Sequence, residues 1–284
     1  MGQQTQPESL KRMKENNERI VVMTCYDYPT AKLQDAAGVD VVFVGDSVGQ
    51  NVLGYDGPRE VTMADMLHHA RAVRRGVSDA LLMVDLPYGS YQTPGSAVEN
   101  GLKLVGAGAE VVKLEGGREV KAQVEALVQS GIPVVGHIGY TPQTRTGERP
   151  LYGDRVDEAI CVLEDAFALA AAGALAVVLE CIPEKVAEVV GQHISIPTIG
   201  IGAGRACDGQ VLVVNDLLGV NEDSFRFVRQ YADLKQVMYS AFKNYCADVK
   251  NGRFPGEEHR FLIKSKELRA FIDHVANKVH VSDD

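Results

Sequence analysis

Polar side chains that can carry acid–base or metal chemistry lie at the ends of short apolar runs in this sequence. In chain order these residues are Asp27, Asp46, Ser47, Asp85, Glu115, His137, Glu180, Asn215 and Asp216, and Lys113 lies within one of the runs. When such runs are the parallel strands of an α/β barrel, their carboxyl ends share the face on which barrel enzymes build active sites. The pattern therefore predicts several carboxylates, one lysine and one histidine at a single mouth.

Two of these carboxylates predict a divalent metal ion. Carboxylates that converge repel one another unless a cation lies among them. Asp46 and Asp85 offer the oxygen ligands that Mg²⁺ prefers, and substrate and water can fill the remaining positions. The sequence has no HExxH motif, and its five cysteines show no CxxC spacing, which disfavours a zinc site. Each acid alone could instead cap a helix, but the repeated position at the ends of apolar runs favours a shared site.

Eight apolar runs rich in Val, Ile and Leu are the candidate strands that would position these residues. They mostly lack the alternating polar residues of half-exposed strands, so they indicate a parallel sheet covered by helices. The predicted strands are Ile20–Tyr26, Val39–Gly45, Leu81–Val84, Val111–Leu114, Pro133–Gly136, Ala176–Leu179, Thr198–Ile201 and Val211–Val214.

Helical spacing fills the segments between the strands. Thr62 is the predicted N-cap of one helix, and Pro94 is predicted to begin another. Further helices are predicted over Glu119–Val128, Asp157–Ala172 and Glu184–Val190. The predicted fold class is therefore α/β, as a (β/α)8 TIM barrel, with a doubly wound open sheet as the alternative.

The composition changes after Gly219, where the strand-like runs stop. Two amphipathic helices are predicted there, Phe225–Tyr245 and Leu262–Val279. We interpret residues 1–284 as a single domain, with the barrel at about 19–220 and a C-terminal helical appendage at about 221–284. The polar N-terminal dozen residues are predicted to be frayed or to form a short helix.

Charge and composition exclude several classes of protein. Lys and Arg number 29 and Asp and Glu 38, a formal net charge of −9 with no basic stripe, so a nucleic-acid partner is not expected. No run reaches the roughly 18 apolar residues of a membrane span, and no secretory signal is recognisable, so a cytoplasmic protein is expected. The glycines of residues 200–204 lack the complete dinucleotide fingerprint, because position 205 is Arg. They predict a tight turn and a close approach to a ligand.

Ordered motifs surround the polar residues. They read TCYDY at 24–28, VGDSVG at 44–49, VTMAD at 61–65, DLP at 85–87, VKLEGG at 112–117, GHIGYTPQ at 136–143, LECIP at 179–183, IGIGAG at 199–204 and DGQ at 208–210. Each motif alone is weak, but their order and spacing over about residues 18–255 resemble the ketopantoate hydroxymethyltransferase family.

The resemblance implies a (β/α)8 barrel of the phosphoenolpyruvate/pyruvate type, usually assembled as a homodecamer. It implies transfer of a one-carbon unit from 5,10-methylenetetrahydrofolate to 3-methyl-2-oxobutanoate, giving 2-dehydropantoate in pantothenate biosynthesis. Carried over by position, it makes Asp46 and Asp85 direct ligands of Mg²⁺ or another divalent ion, with Glu115 holding the ion through water. The resemblance further implies that Ser47, Lys113 and His137 contact the substrate and that Glu180 is the catalytic base.

The expected chemistry fits these residue types. A proton beside a ketone is too weakly acidic for a free carboxylate to remove quickly, and a metal that chelates the 2-oxo acid stabilises the enolate. Two alternatives remain at this point, another lyase or mutase of small 2-oxo acids on the same barrel and a ligand-binding barrel without catalysis. Glu180 could also cap the helix after Pro183. The loop of residues 144–153 departs from the family's usual sequence and is a candidate lid.

Overall fold

The protein is described here by a computed structural model, which covers residues 5–145, 151–221 and 225–279. The chain divides into two compact units, Met1–Asp233 and Leu234–Asp284. None of the described helices combines the length and the apolar character that crossing a bilayer requires.

The first unit is a closed barrel of eight parallel strands in sequence order. The strands are β1 (Ile20–Thr24), β2 (Val41–Val44), β3 (Leu81–Asp85), β4 (Val111–Glu115), β5 (Val134–Gly139), β6 (Ala176–Glu180), β7 (Thr198–Ile201) and β8 (Gly209–Leu212). Because β1 pairs with β8 as well as with β2, the sheet has no open edge. The predicted TIM barrel is confirmed, and the doubly wound alternative is wrong.

Alternation along each strand separates two apolar layers. One set of side chains fills the barrel interior, where Val22, Phe43, Met83 and Val178 belong to one buried cluster. The other set faces the helices and forms the larger core around the barrel. Both faces are buried along β2, β3, β4 and β5, which explains why these strands are largely apolar, whereas Val21 of β1 and Gln210 of β8 are exposed. Leu10 of the N-terminal helix belongs to the interior cluster.

Helices follow most of the strands. They are α1 (Ser9–Glu15), α2 (Tyr28–Ala36), α3 (Met63–Arg74), α4 (Pro94–Gly106), α5 (Lys121–Gln129), α6 (Val156–Ala171), α7 (Glu184–His193) and α8 (Val214–Leu217), with α9 (Leu234–Lys250) and α10 (Ser265–Val279) in the second unit. The predicted N-cap Thr62 accepts from the backbone N–H of Asp65 and forms a capping box with it. α2, whose N-cap is Asp27, is an additional helix that the sequence pattern does not predict.

Several predicted boundaries differ from the structure by a few residues, and the largest differences concern the last strand and the first C-terminal helix. The last strand begins at Gly209 rather than Val211, because the backbone of β1 approaches so closely that a Cβ at 209 would lie 2.5 Å from the carbonyl oxygen of Ile20. Val214 begins α8 instead, where its N–H donates to Thr24 Oγ1 at 2.9 Å. The helix predicted over Phe225–Tyr245 begins only at Leu234, since the described residues before it form no regular element.

Candidate active site

A cavity of about 670 Å³ opens at the carboxyl ends of the strands. All seven residues predicted to act on substrate or metal line it, and they come from the ends of β2, β3, β4, β5 and β6. These are Asp46, Ser47, Asp85, Lys113, Glu115, His137 and Glu180. The structure therefore brings the predicted set together, while the role of each residue remains a prediction.

The alternation that builds the barrel interior also positions these side chains. Asp85 lies two residues beyond Met83, an interior residue of β3, so it continues the inward-facing series. The parallel register pairs Asp85 with Lys113 and Glu115 with His137. The apolar interior of the barrel thus ends in a layer of charged side chains at the mouth. This charged layer consists of Asp46, Asp85, Lys113, Glu115 and His137.

Asp46, Asp85 and Lys113 form a buried charged group. The Asp46 N–H donates to Asp85 Oδ2 at 3.0 Å, and Lys113 Nζ lies 2.7 Å from Asp85 Oδ1. Burial, followed by the charges of Asp85 and Glu115, raises the pKa of Asp46 well above its usual value. Burial also raises the pKa of Asp85, although Lys113 opposes this shift. For Lys113, burial is outweighed by the neighbouring carboxylates, which raise its pKa.

This donor set fits a hard divalent ion. Asp46, Asp85 and Glu115 are all buried, and these three carboxylates outnumber the two basic side chains beside them, Lys113 and His137. The described residues contain no ready-made cluster of three or more metal-binding side chains. A pair of carboxylates such as Asp46 and Asp85 suits Mg²⁺, which is commonly held by one or two carboxylates together with substrate oxygens and water. Asp46 and Asp85 would hold the ion.

His137 lies between two carboxylates. Its Nδ1 is 3.3 Å from Glu115 Oε1, and its Nε2 is 3.0 Å from Glu180 Oε2. Burial and the charge of Lys113 oppose protonation of the imidazole, but Glu115 and Glu180 outweigh both and raise the pKa of His137 to about 9. The two carboxylates therefore favour the protonated form of His137, and its Nε2 contact orients the carboxylate of Glu180.

Glu180 does not serve as a helix cap. The N-cap of α7 is Pro183, and no side chain accepts a hydrogen bond there. The side chain of Glu180 is 18% exposed and lines the cavity. The structural alternative from the sequence analysis is therefore wrong, whereas the predicted role as a base stays open.

Sequence reasoning missed several residues that shape the cavity. Gln143 is fully buried and joins the charged layer through its side-chain amide and its backbone N–H. It lies in the GHIGYTPQ motif, which was recognised without any role for this residue. Ser47 Oγ shares a 2.8 Å hydrogen bond with the Tyr26 hydroxyl. Asp27, by contrast, accepts from Thr30 N at 2.9 Å as the cap of α2 and does not line the cavity.

The outer end of the cavity is aromatic and includes one basic residue. The rings of Phe225 and Phe227 are stacked, with centroids 5.3 Å apart and planes 6° apart. Arg145 also lines this end, and its guanidinium carbon lies 3.9 Å from the centroid of the Tyr152 ring. Of the predicted lid, residues 144–153, positions 146–150 lie outside the described residues.

The interpretation of the glycines at 200–204 changes in part. Gly202 has a φ of 66°, as the predicted tight turn requires, but the group that approaches it is the Phe227 ring, 2.7 Å from a Cβ built at that position. His69 of α3 is buried and donates from Nδ1 to the Tyr26 carbonyl oxygen at 2.7 Å.

Comparisons with known proteins point to one enzyme family. A family model described as ketopantoate hydroxymethyltransferase matches residues 4–257. The 3-methyl-2-oxobutanoate hydroxymethyltransferase of Thermotoga maritima is 49% identical over 263 residues, covering 91% of this chain and 97% of the relative. The enzyme of the same name from Enterococcus faecalis is 47% identical over 265 residues, covering 92% and 96%.

Solved structures with low sequence identity share the fold. Phosphonopyruvate hydrolase superposes with a TM-score of 0.62 at 11% identity, covering 98% of both chains. The structure of 2,3-dimethylmalate lyase, a member of the PEP mutase/isocitrate lyase superfamily, superposes with a TM-score of 0.57 at 18% identity over 100% of both chains. At these identities the likeness shows the barrel fold alone.

Proposed function

Because the chain belongs to the ketopantoate hydroxymethyltransferase family, we propose that it transfers a hydroxymethyl unit to 3-methyl-2-oxobutanoate. The product is 2-dehydropantoate, on the route to pantothenate, and the proposed donor is 5,10-methylenetetrahydrofolate. The observation that carries the proposal is one cavity containing Asp46, Asp85, Lys113, His137 and Glu180. This set can bind a divalent ion and a small 2-oxo acid, and it can accept a proton.

The inner end of the cavity is the proposed site for the oxo acid. Lys113 Nζ and Ser47 Oγ are proposed to hold its carboxylate and keto oxygens, since both atoms belong to side chains that line this end. A divalent ion held by Asp46 and Asp85, with Glu115 acting through water, would polarise the keto oxygen and make the adjacent C3–H bond more acidic. Oxalate, a compact diacid, occupies phosphonopyruvate hydrolase together with Mg²⁺, and the present donor set suits the same kind of ion.

Glu180 is the proposed base. Its carboxylate would take the proton from C3 of the oxo acid, and the 3.0 Å contact with His137 Nε2 keeps it oriented. The carbon freed of its proton would then form a bond with the one-carbon unit of the donor. Overall, the C3–H bond is replaced by a C–C bond, one water supplies the hydroxyl group, and tetrahydrofolate is released.

The outer end of the cavity offers room for the donor. A volume of about 670 Å³ lies within the range of pockets that bury drug-sized ligands, and a small branched oxo acid fills little of it. The stacked rings of Phe225 and Phe227 present a flat surface suited to a pterin ring. Arg145 at the same end suits the carboxylates of a folate tail. The homodecamer that the family resemblance implies stays a prediction.

Deuterium exchange at C3 of 3-methyl-2-oxobutanoate in D2O, followed by proton NMR, tests the function. We expect exchange to depend on added Mg²⁺ and to proceed without the donor, whereas formation of 2-dehydropantoate requires both. Phe227→Ala should raise the KM for the donor and leave exchange unchanged. Absence of both exchange and product would overturn the proposal. Cleavage of the oxo acid without the donor would instead support a lyase.

A further inference from the structure

Gln143 lies between two carboxylates of the charged layer and contacts both. Its Nε2 donates to Asp46 Oδ2 at 2.7 Å, and its backbone N–H donates to Glu115 Oε2 at 2.9 Å. The residue follows β5, whereas Asp46 follows β2 and Glu115 ends β4. A single residue therefore ties together carboxylates supplied by two other strands.

The orientation of the Gln143 amide is fixed by its other partners. Nε2 also donates to the Leu86 carbonyl oxygen at 3.1 Å, so both of its hydrogens are used. The Tyr91 hydroxyl donates to Oε1. A flipped amide would turn its oxygen towards the Asp46 carboxylate and the Leu86 carbonyl, leaving three buried acceptors without a donor. Tyr91 thus selects the amide orientation that supports Asp46.

We propose that Gln143 is a positioning residue, itself fixed by Tyr91, that holds the carboxylates of Asp46 and Glu115 in the geometry that receives the divalent ion. The inference rests on the proposed metal-dependent function. Asp46 Oδ2 is occupied by the amide, whereas the described residues donate no hydrogen bond to its Oδ1, which leaves that oxygen for the ion. Hydrogen bonds to metal-binding carboxylates tune affinity in this way in other metalloproteins.

Binding of Mn²⁺ alone, measured from the electron paramagnetic resonance signal of the free ion, tests the proposal without relying on activity. Gln143→Met keeps much of the volume and removes the amide, so Mn²⁺ affinity should fall by about 10- to 100-fold. Tyr91→Phe removes only one hydroxyl, and its affinity should fall by about 2- to 10-fold.

Gln34→Met is the matched control. Gln34 is also buried, and its Nε2 donates to the Thr24 carbonyl at 2.8 Å, but it contacts no carboxylate of the cavity. We expect Gln34→Met to lower the melting temperature, as we also expect of Gln143→Met, but to leave the Mn²⁺ affinity at the wild-type value. A comparable loss of affinity in this control would mean that general destabilisation weakens binding, and it would overturn the positioning role.

The remaining outcomes separate this inference from the function on which it rests. Wild-type Mn²⁺ affinity in folded Gln143→Met would overturn the positioning role and leave the proposed reaction intact. If Gln143→Met does not fold, Tyr91→Phe decides, and an unchanged affinity in that variant contradicts the proposal. A wild-type protein that binds no Mn²⁺ would overturn the metal site and this inference together.

Discussion

Replacing Glu180 with Gln separates proton removal from every other property of the site. The amide is nearly the same size as the carboxylate and leaves Asp46, Asp85 and Lys113 in place, so binding of metal and oxo acid should persist. A positioned general base contributes about 10²- to 10⁴-fold in rate, equivalent to about 3 to 5 kcal/mol of transition-state stabilisation. C3 deuterium exchange in Glu180→Gln should fall by that factor.

The structure also sets the expected effect on stability. Glu180 is 18% exposed, and its one close charged partner among the described residues is His137 at 3.0 Å. Loss of a hydrogen bond to a charged group costs about 1.5 to 3 kcal/mol when the contact is buried, so this partly exposed one should cost less. The melting temperature should therefore fall only slightly while exchange collapses, a combination that a purely structural residue would not produce.

Glu184→Gln provides the control for the Glu180 measurement. Glu184 lies four residues away, outside the cavity, where its Oε1 is 3.2 Å from Arg205 Nε on the surface. Exchange in this variant should match the wild type. Near-normal exchange in Glu180→Gln with a lowered melting temperature would refute the reasoning. The base would then be His137 or Glu115, the other proton acceptors of the predicted set that line the cavity.

Two further predictions follow from the electrostatics. In metal-free protein Asp46→Asn should raise the melting temperature by removing like-charge repulsion, whereas Asp85→Asn should cost about 3 to 5 kcal/mol because Lys113 loses its buried partner. Both variants should lose Mn²⁺ binding. If chelator-treated Asp46→Asn and Asp85→Asn were destabilised equally, the roles assigned to the two carboxylates would be contradicted. The pKa of His137 rises from 6.5 to about 9 on folding. Protonation of His137 should therefore add up to about 3 kcal/mol to the free energy of unfolding below pH 6.5, and this stabilisation should be lost as the pH rises through 9. Urea unfolding across that range should show this loss, and His137→Asn should flatten it.

Much of the fold could be predicted because hydrophobic runs encode it directly. Strands buried on both faces need apolar residues at every position, so runs such as Leu81–Val84 were recognisable without any partner strand. Boundaries that depend on tertiary contacts were less accessible. The start of β8 at Gly209 is set by how closely the backbone of β1 approaches. Residues 225–233 have a helical pattern in the sequence but form no regular element, and Phe225 and Phe227 line the cavity instead.

The charged layer could be predicted for a related reason. Inward-facing positions repeat every second residue, so a polar residue that continues an apolar series at a strand end must enter the mouth, as Asp85 and Glu115 do. This periodicity does not extend to Gln143, because the residue lies after the end of β5 in a segment that is not a strand. Its position therefore could not be predicted from the sequence pattern. For Asp27 the prediction was wrong in the opposite direction. Its position after β1 predicted a side chain at the mouth, but Asp27 is the N-cap of α2.

The charge balance of the cavity explains why such a site must be built on a large apolar barrel. Three buried carboxylates share the site with the buried side chains of Lys113 and His137, and burial together with the mutual repulsion of the carboxylates raises the pKa of Asp46. An unliganded arrangement of this kind opposes folding, and the apolar interior around Phe43 and Val178 offsets it. Binding of a divalent ion would relieve the repulsion, so the feature that destabilises the empty protein is the one that gives the ion its affinity. Stability and metal affinity should therefore change in opposite directions at Asp46, whereas they should fall together at Asp85, where the carboxylate also neutralises Lys113.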